Sequence, residues 1–476
     1  MKILFAFIIS FACMAQEVKV GSKAFTEGYL LAEYLSQHLE MSHGTKVERK
    51  FGLGSTGIVV EAINNNEIDL YPEYTGTITK DILKSKKALS IEEINSELAP
   101  MGLMISQSLG FNNTYALAMD RTLAEKMGIQ KLSQLSQFRK LRFAFSHEFM
   151  GRSDGWEGLA KTYKLKGIRP ESMQHNLAYE ALKEKKVDVI EVYTTDAAID
   201  RMDLTILKDD RSYFPSYLAV ILARVEWVKA HPQLWELLKN LENKLDERKM
   251  TSLNSQVEID KKTFADVIST FLGNNSTKTP VRNILWQKTL EHLVLVLIPL
   301  CFAIIIGIPL GFWSFHSPKA SHFLVSLTGI FQTIPSLALL CFLIPLFGVG
   351  WKPALVALFL YSLLPIVLNT IGGLRAIPQS LHESATVLGL NGREKTLKID
   401  LPLAYPSIMV GIQNALITGI GTATLAALIG AGGYGQLIVT GLAVNDISKI
   451  IQGAWPAAAM ALVFQIFFSL IHKIKK

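Results

Sequence analysis

Tyrosine rings are the first candidate chemistry in this chain. The stretch DLYPEYTGT, Asp69 to Thr77, places Tyr71 and Tyr74 around a Pro-Glu pair and runs directly into Thr-Gly-Thr. A tyrosine in a strand ordinarily packs, yet its ring face also attracts a cation that has no N–H to donate. Other chemistries find less support. Cys13, Cys301 and Cys341 lie in apolar segments without metal-ligand spacing, and the histidines form no H-x-x-x-H pattern. No G-x-x-x-x-G-K followed by Ser or Thr occurs, so no P-loop cradles ATP phosphates. The glycine-rich GLGSTG at 52–57 lacks the lysine. No nucleophile–base pair stands out, and neither a cofactor nor covalent chemistry is expected of this chain.

The 476 residues are 49% hydrophobic and 19% charged, with a net charge of +7 and no basic tract that would suggest nucleic acid. Roughly 150 residues per domain predicts two or three units. Charges are spread from Glu17 to about Gly273, whereas long apolar runs dominate from about Leu290. Met1-Lys2 followed by ILFAFIISFACMA reads as an export signal over 1–16, with cleavage after Ala15. That run is too short for a spanning helix, which needs roughly 20 residues. A lipid on Cys13 is the competing reading, but Phe11 stands where a small residue would be needed.

Five candidate spans lie near 290–314, 321–348, 353–375, 406–430 and 453–472. An odd number puts the two flanks on opposite sides of the membrane. The HKIKK tail and the loop with Arg375, Arg393, Lys395 and Lys398 carry most of the positive charge, which places both in the cytoplasm. The part after residue 16 is then extracytoplasmic, as the export signal independently implies.

Segment 17–272 alternates strand and helix signals: EVKVGSK, then TEGYLLAEYLSQHLE, then KVERKFGLG, with LRFAFS, VDVIEVYTTD and LAVILAR as further strands. This rhythm predicts largely parallel sheets covered by helices. Two such sheets, joined near 116–120 and 215–220, form a two-lobed clamp with ligand in the cleft. GSKAFTE (21–27), GLGSTG (52–57), IDLYPEYTGT (68–77), FNNTYALAM (111–119), GRSDG (151–155), VYTTDAAI (192–199) and FPSYLAV (214–220) occur in the order found in one family. On these motifs the segment resembles the osmoprotectant-binding proteins of quaternary-ammonium importers. The resemblance implies an α/β periplasmic-binding-protein clamp, type II-like, whose four tyrosines cage a trimethylammonium group. The matching positions are Tyr74, Tyr115, Tyr193 and Tyr217, with Lys23, Thr77 and Arg152 matching those that hold a ligand carboxylate. Tyr71 matches no cage position and is expected to pack. Glu191 departs from the family; facing the cleft, it would favour a cation without a carboxylate, such as choline.

The polar stretch between the third and fourth spans carries a second motif. HESATVLG has helical spacing, Gly389 permits a sharp break, and REKTLKID suits a second helix closed by Leu401-Pro402. Glu383-Ser384-Ala385, three residues, Gly389, nine residues, Ile399, one residue and Leu401-Pro402 resemble the EAA coupling loop of ATP-binding-cassette importer permeases. The departure is Ser384 for the second alanine. The resemblance implies that 383–402 docks on a separate ABC ATPase subunit, which binds the ATP.

The expected organisation is signal 1–16, substrate-binding domain 17–272, linker 273–285, and an all-α permease domain 286–476 of about five spans. The expected function is the binding and membrane-spanning subunit of an ATP-driven importer for glycine betaine, carnitine or choline. It would act as a homodimer among lipids in a bacterial inner membrane, with its C-terminus cytoplasmic. A ligand-gated channel or receptor is the rival class, which would have no use for a coupling loop; ergothioneine is the rival ligand.

Overall fold

Ten strands among the described residues give the first half its frame. The computed structural model describes residues 17–274 and 281–474 apart from 44, 86, 166 and 445. The expected signal 1–16, residues 275–280 of the expected linker and the last two residues of the HKIKK tail lie outside the described residues. In chain order the strands are β1 (Glu17–Gly21), β2 (Lys46–Lys50), β3 (Leu70–Tyr74), β4 (Leu103–Ile105), β5 (Tyr115–Asp120), β6 (Phe143–Ser146), β7 (Glu171–Met173), β8 (Val189–Tyr193), β9 (Leu204–Leu207) and β10 (Ala219–Arg224). They form two five-stranded sheets, β2-β1-β3-β10-β4 and β7-β6-β8-β5-β9.

In each five-stranded sheet four strands run the same way and one intruder opposes them. β1 runs parallel to β2 and β3, but β10 is antiparallel to both β3 and β4. In the second sheet β6 runs parallel to β7 and β8, and β5 is antiparallel to β8 and β9. The two intruders are the strands that follow the crossings between lobes. β3 is buried at every position, which suits a central strand covered on both faces. Its Pro72 is tolerated for a reason of register. Thr75 N donates across to Leu218 O, so Pro72, three residues earlier, turns its nitrogen toward β1. There the β1 pairing stops at Leu70, and no ladder bond is lost.

The second half is helical. Helices long and apolar enough to cross a membrane cover Ile284–Phe315, Trp351–Arg375, Gly392–Ala423 and Ile447–Leu470. The expected span 321–348 is instead a pair, Pro318–Thr333 and Ser336–Phe347, bent by 97°. Pro335 causes the break: it holds Ile334 in extended backbone, at φ −70° and ψ 127°. The described residues therefore hold four such helices, or five with the bent pair taken as one span. Large apolar side chains such as Ile305, Phe323 and Val463 point outward from these helices, as a lipid-facing surface requires.

Two boundaries differ from the sequence reading. The first helix begins at Val281, inside the expected linker. Leu401-Pro402 does not close a helix either; the chain runs on from Gly392 to Ala423. A π-helical turn at Thr396–Asp400 precedes Pro402. Its wider bonding absorbs a residue that has no N–H and whose ring crowds the preceding turn.

The helices Trp351–Arg375 and Leu401–Ala423 pack backbone to backbone at Gly411. A Cβ there would lie 2.6 Å from Pro365 O and 2.8 Å from the Asn369 Cβ. Gly411→Val is expected to destabilise the permease domain by about 1–3 kcal/mol through overpacking. Thermal unfolding in detergent, compared with Gly421→Val where nothing lies within 4 Å of the added carbon, checks this.

Candidate functional site

The two crossings of the chain lie side by side and bring the motifs together. Residues 106–114 lead from the first sheet into β5, and 208–218 lead back into β10. Asn113 N donates to Tyr217 O at 3.0 Å, and Ala219 N to Phe111 O at 3.1 Å. The four expected tyrosines stand at strand ends around this hinge. Tyr74 closes β3, Tyr115 opens β5, Tyr193 closes β8, and Tyr217 lies two residues before β10. Strand ends bordering a crevice are where open α/β sheets hold their ligands.

Three of the four rings touch. Tyr115 and Tyr193 are direct partners across the β5–β8 ladder, with ring centroids 5.2 Å apart. Tyr115 also meets Tyr217 edge to face at 5.6 Å. Tyr74 joins them through Phe25, which lies 6.4 Å from Tyr74 and 5.8 Å from Tyr193. The Tyr217 ring rests on Gly76, where a Cβ would sit 2.4 Å from it; the glycine of Thr-Gly-Thr makes that approach possible. Tyr71 is fully buried away from this cluster, among the apolar side chains under β3.

The expected cations lie against these rings. Lys23 Nζ is 5.7 Å from the Tyr74 centroid and 5.6 Å from that of Phe25. The Arg152 guanidinium is 5.5 Å from the Tyr115 centroid. Each also holds a protein carboxylate. Lys23 donates to Glu73 at 2.8 Å, and Arg152 donates to both oxygens of Asp154 at 2.7 and 2.8 Å. Tyr217 OH donates to Asp154 as well. Arg152 is buried, yet its Nη1 has no hydrogen-bond acceptor; Glu148 and Asp81 stand 3.6 and 3.8 Å away. Thr77 is buried three residues beyond Tyr74.

Glu27, which the sequence reading did not single out, ties these parts together. Its buried carboxylate accepts from Tyr74 OH, Asn113 Nδ2 at 2.8 Å, Thr195 Oγ1 at 2.6 Å and Asn254 Nδ2 at 3.0 Å. Burial pushes its carboxyl up, and the four donors oppose that rise. Behind Tyr193 stands His175, with centroids 4.5 Å apart. Burial works against its charge, but Asp196 at 3.0 Å and Glu191 at 3.2 Å outweigh it and push the imidazole up to about 10. Glu191 is fully buried and also accepts from Ser146 N at 2.9 Å. It faces this support and not a ligand, so the expectation that it would select choline has no basis. Phe25, Glu27, Asn113, Asp154 and Thr195 all fall inside the quoted motifs, which was the available signal. His175 and Asn254 had none.

The motif at 383–402 forms two helices at a corner. Glu383, Ser384 and Ala385 lie in Gln379–Val387, with Ala385 buried beneath it. Gly389 turns the chain at φ +73°, and Ile399, Leu401 and Pro402 follow in the Gly392–Ala423 helix. Lys395 Nζ ties the corner by donating to Thr386 Oγ1 at 2.8 Å. At its tip Val387 and Leu388 are 88% and 78% exposed, an apolar pair that the motif did not predict.

Comparison with known proteins agrees with this architecture. Residues 16–274 match the family model for the substrate binding domain of the ABC-type glycine betaine transport system. Residues 303–474 match that for the binding-protein-dependent transport system inner membrane component. The ergothioneine transport permease/ergothioneine binding protein of Helicobacter pylori is 36% identical over 258 residues, 53% of this chain; the match spans 46% of that relative. The choline transport system permease protein of Bacillus subtilis is 41% identical over 189 residues, 40% of this chain and 87% of that protein. A glycine-betaine-binding protein of Pseudomonas aeruginosa is 34% identical over 274 residues, 54% of this chain and 88% of that protein. A permease of this family implies an ABC ATPase partner and a small-molecule ligand, and the apolar helices make the chain a multi-pass membrane protein. The chain belongs to the glycine-betaine-type ABC importer family, as a fused substrate-binding and permease component of an osmoprotectant-type importer.

Proposed function

We propose that the cleft binds a trimethylammonium compound between the two lobes and that the permease domain passes it inward. The carrying observation is the linked set of rings Tyr74, Phe25, Tyr193, Tyr115 and Tyr217, drawn from both lobes. Two of these rings, Tyr74 and Tyr115, already accept a cation at 5.5–5.7 Å. A quaternary ammonium offers no N–H, so ring faces hold it where acceptors gain little, at about 0.5–2 kcal/mol per desolvated ring. The unmatched Nη1 of Arg152 supports a carboxylate at the other end of the ligand, with Lys23 and Thr77 beside it.

One observation favours ergothioneine as a second reading. Asn113 Oδ1 and Asn254 Oδ1 are buried without a donor, and both residues line the same cavity as Phe25, Glu27 and Tyr193. Glycine betaine has no hydrogen-bond donor for them and choline a single hydroxyl, whereas ergothioneine pairs a trimethylammonium group with ring N–H donors.

Transport is proposed to run as alternating access. The clamp closes on ligand outside, and a separate ATPase docks at the Val387-Leu388 corner. Two copies of the chain supply the two halves of the pore. The positive loop at 375–398 and the C-terminal tail then face the cytoplasm, and the binding domain faces outward.

Calorimetry of the full chain in lipid nanodiscs with choline, glycine betaine and ergothioneine tests the cleft. Tyr115→Leu is expected to weaken the bound compound by about 2–30-fold. Arg152→Gln should weaken glycine betaine or ergothioneine and leave choline within about twofold. Failure of all three compounds to bind the parent chain refutes the reading. Val387→Asp with Leu388→Asp is expected to cut ATP-driven uptake about tenfold or more, with affinity unchanged. Undiminished uptake would remove this corner from ATPase docking.

A further inference from the structure

The cleft has a third wall that neither lobe supplies. A cavity of about 40 Å³ beside Phe25, Glu27, His175 and Tyr193 is also lined by Leu442 and Ala443. These two residues end the permease helix Tyr434–Ala443. A helix leaves its last carbonyls without internal partners, and here the binding domain provides them. Ala443 O accepts from Thr26 Oγ1 of the first lobe at 3.3 Å and from Asn176 Nδ2 of the second. The next carbonyl, Val444 O, accepts from Lys261 Nζ at 3.0 Å. The Val444 side chain is buried in the apolar cluster of the binding domain.

The rest of the docking surface is one-sided. Glu67 of the first lobe pairs with Lys352 at 3.5 Å. A Cβ on Gly430 would lie 2.4 Å from Leu53, and one on Gly54 would lie 3.2 Å from Leu428 O. These contacts hold the first lobe whatever the second lobe does. At Ala443, among the described residues of the permease surface, the two lobes share one acceptor, and a single carbonyl has two lone pairs for the two donors.

We propose that the Leu442–Val444 turn is the permease surface that recognises the closed clamp, by requiring a donor from each lobe at one carbonyl. Hinge opening carries Asn176 away from Thr26, so the turn is fully bound only with the lobes together. The turn thereby has a differential affinity for the closed state, which any coupling between clamp and permease requires. This rests on the reading of 17–272 as a ligand-closed clamp and adds to it the permease element that reads closure.

Cysteine cross-linking of the full chain in membranes tests it, with Cys13, Cys301 and Cys341 replaced by serine. Asn176→Cys with Ala443→Cys and Thr26→Cys with Ala443→Cys are compared with Lys186→Cys with Ala443→Cys, an exposed control in the second lobe. Both test pairs are expected to cross-link above the control. Choline, glycine betaine or ergothioneine, whichever binds, should raise the Asn176 pair about threefold or more and leave the Thr26 pair unchanged. An Asn176 pair no better than the control overturns the proposal, as does an Asn176 yield that a bound compound fails to raise. Should none of the three bind, the functional reading fails, and the ligand-free comparison with the control still decides whether the second lobe meets the turn.

Discussion

The buried carboxylate of Glu27 is the interaction on which the arrangement of the cleft depends. An ionised carboxylate out of water is costly unless donors surround it, and here the four donors come from four separate segments. Tyr74 belongs to the end of β3, Asn113 to one crossing, Thr195 to the second lobe, and Asn254 to the helix Glu247–Glu258. Satisfying one side chain therefore sets the hinge, the closure of the lobes and the direction of the Tyr74 ring together. Removing any one donor leaves an expensive buried acceptor, which makes the network cooperative.

A second constraint follows from joining two solvents in one chain. The first half buries its strands under helices in water. The second half meets lipid, where each backbone group must find its partner inside a helix. Two interruptions of the helices in that half find partners from elsewhere in the chain. The break at Ile334 and Pro335 is capped by Tyr361 OH donating to Ile334 O at 2.7 Å. The end of the helix at Ala443 is capped by the binding domain. The docking face of the permease is thus built from the same orphan carbonyls that a lone permease would have to hydrate.

Much of the frame was legible because it rests on local pattern. EVKVG, KVERK and FAFS were readable as strands, and the apolar runs as spans, since alternation and length are local properties. The limits of that reading are equally physical. A run of apolar residues from 321 to 348 does not reveal a 97° bend, although Pro335 was the signal for it. Leu401-Pro402 read as a stop because proline usually ends a helix; the π turn before it shows how the ring was accommodated. In the cleft, the residues inside conspicuous motifs were visible, whereas His175 and Asn254 lie in unremarkable helices and reach the site only through folding.

By itself the sequence determined the class of each half, the chain positions of several strands and the residue types available to the cleft. Periodicity, span length and motif spacing are properties of the linear chain. The tertiary structure alone decided which tyrosines touch, that Glu191 turns to Ser146 and His175, and that Lys23 and Arg152 each carry a protein carboxylate. It alone brought Ala443 between Thr26 and Asn176, which are separated from it by hundreds of residues. These are matters of direction and long-range proximity. They depend on how sheets pair and lobes close, and no local pattern records them.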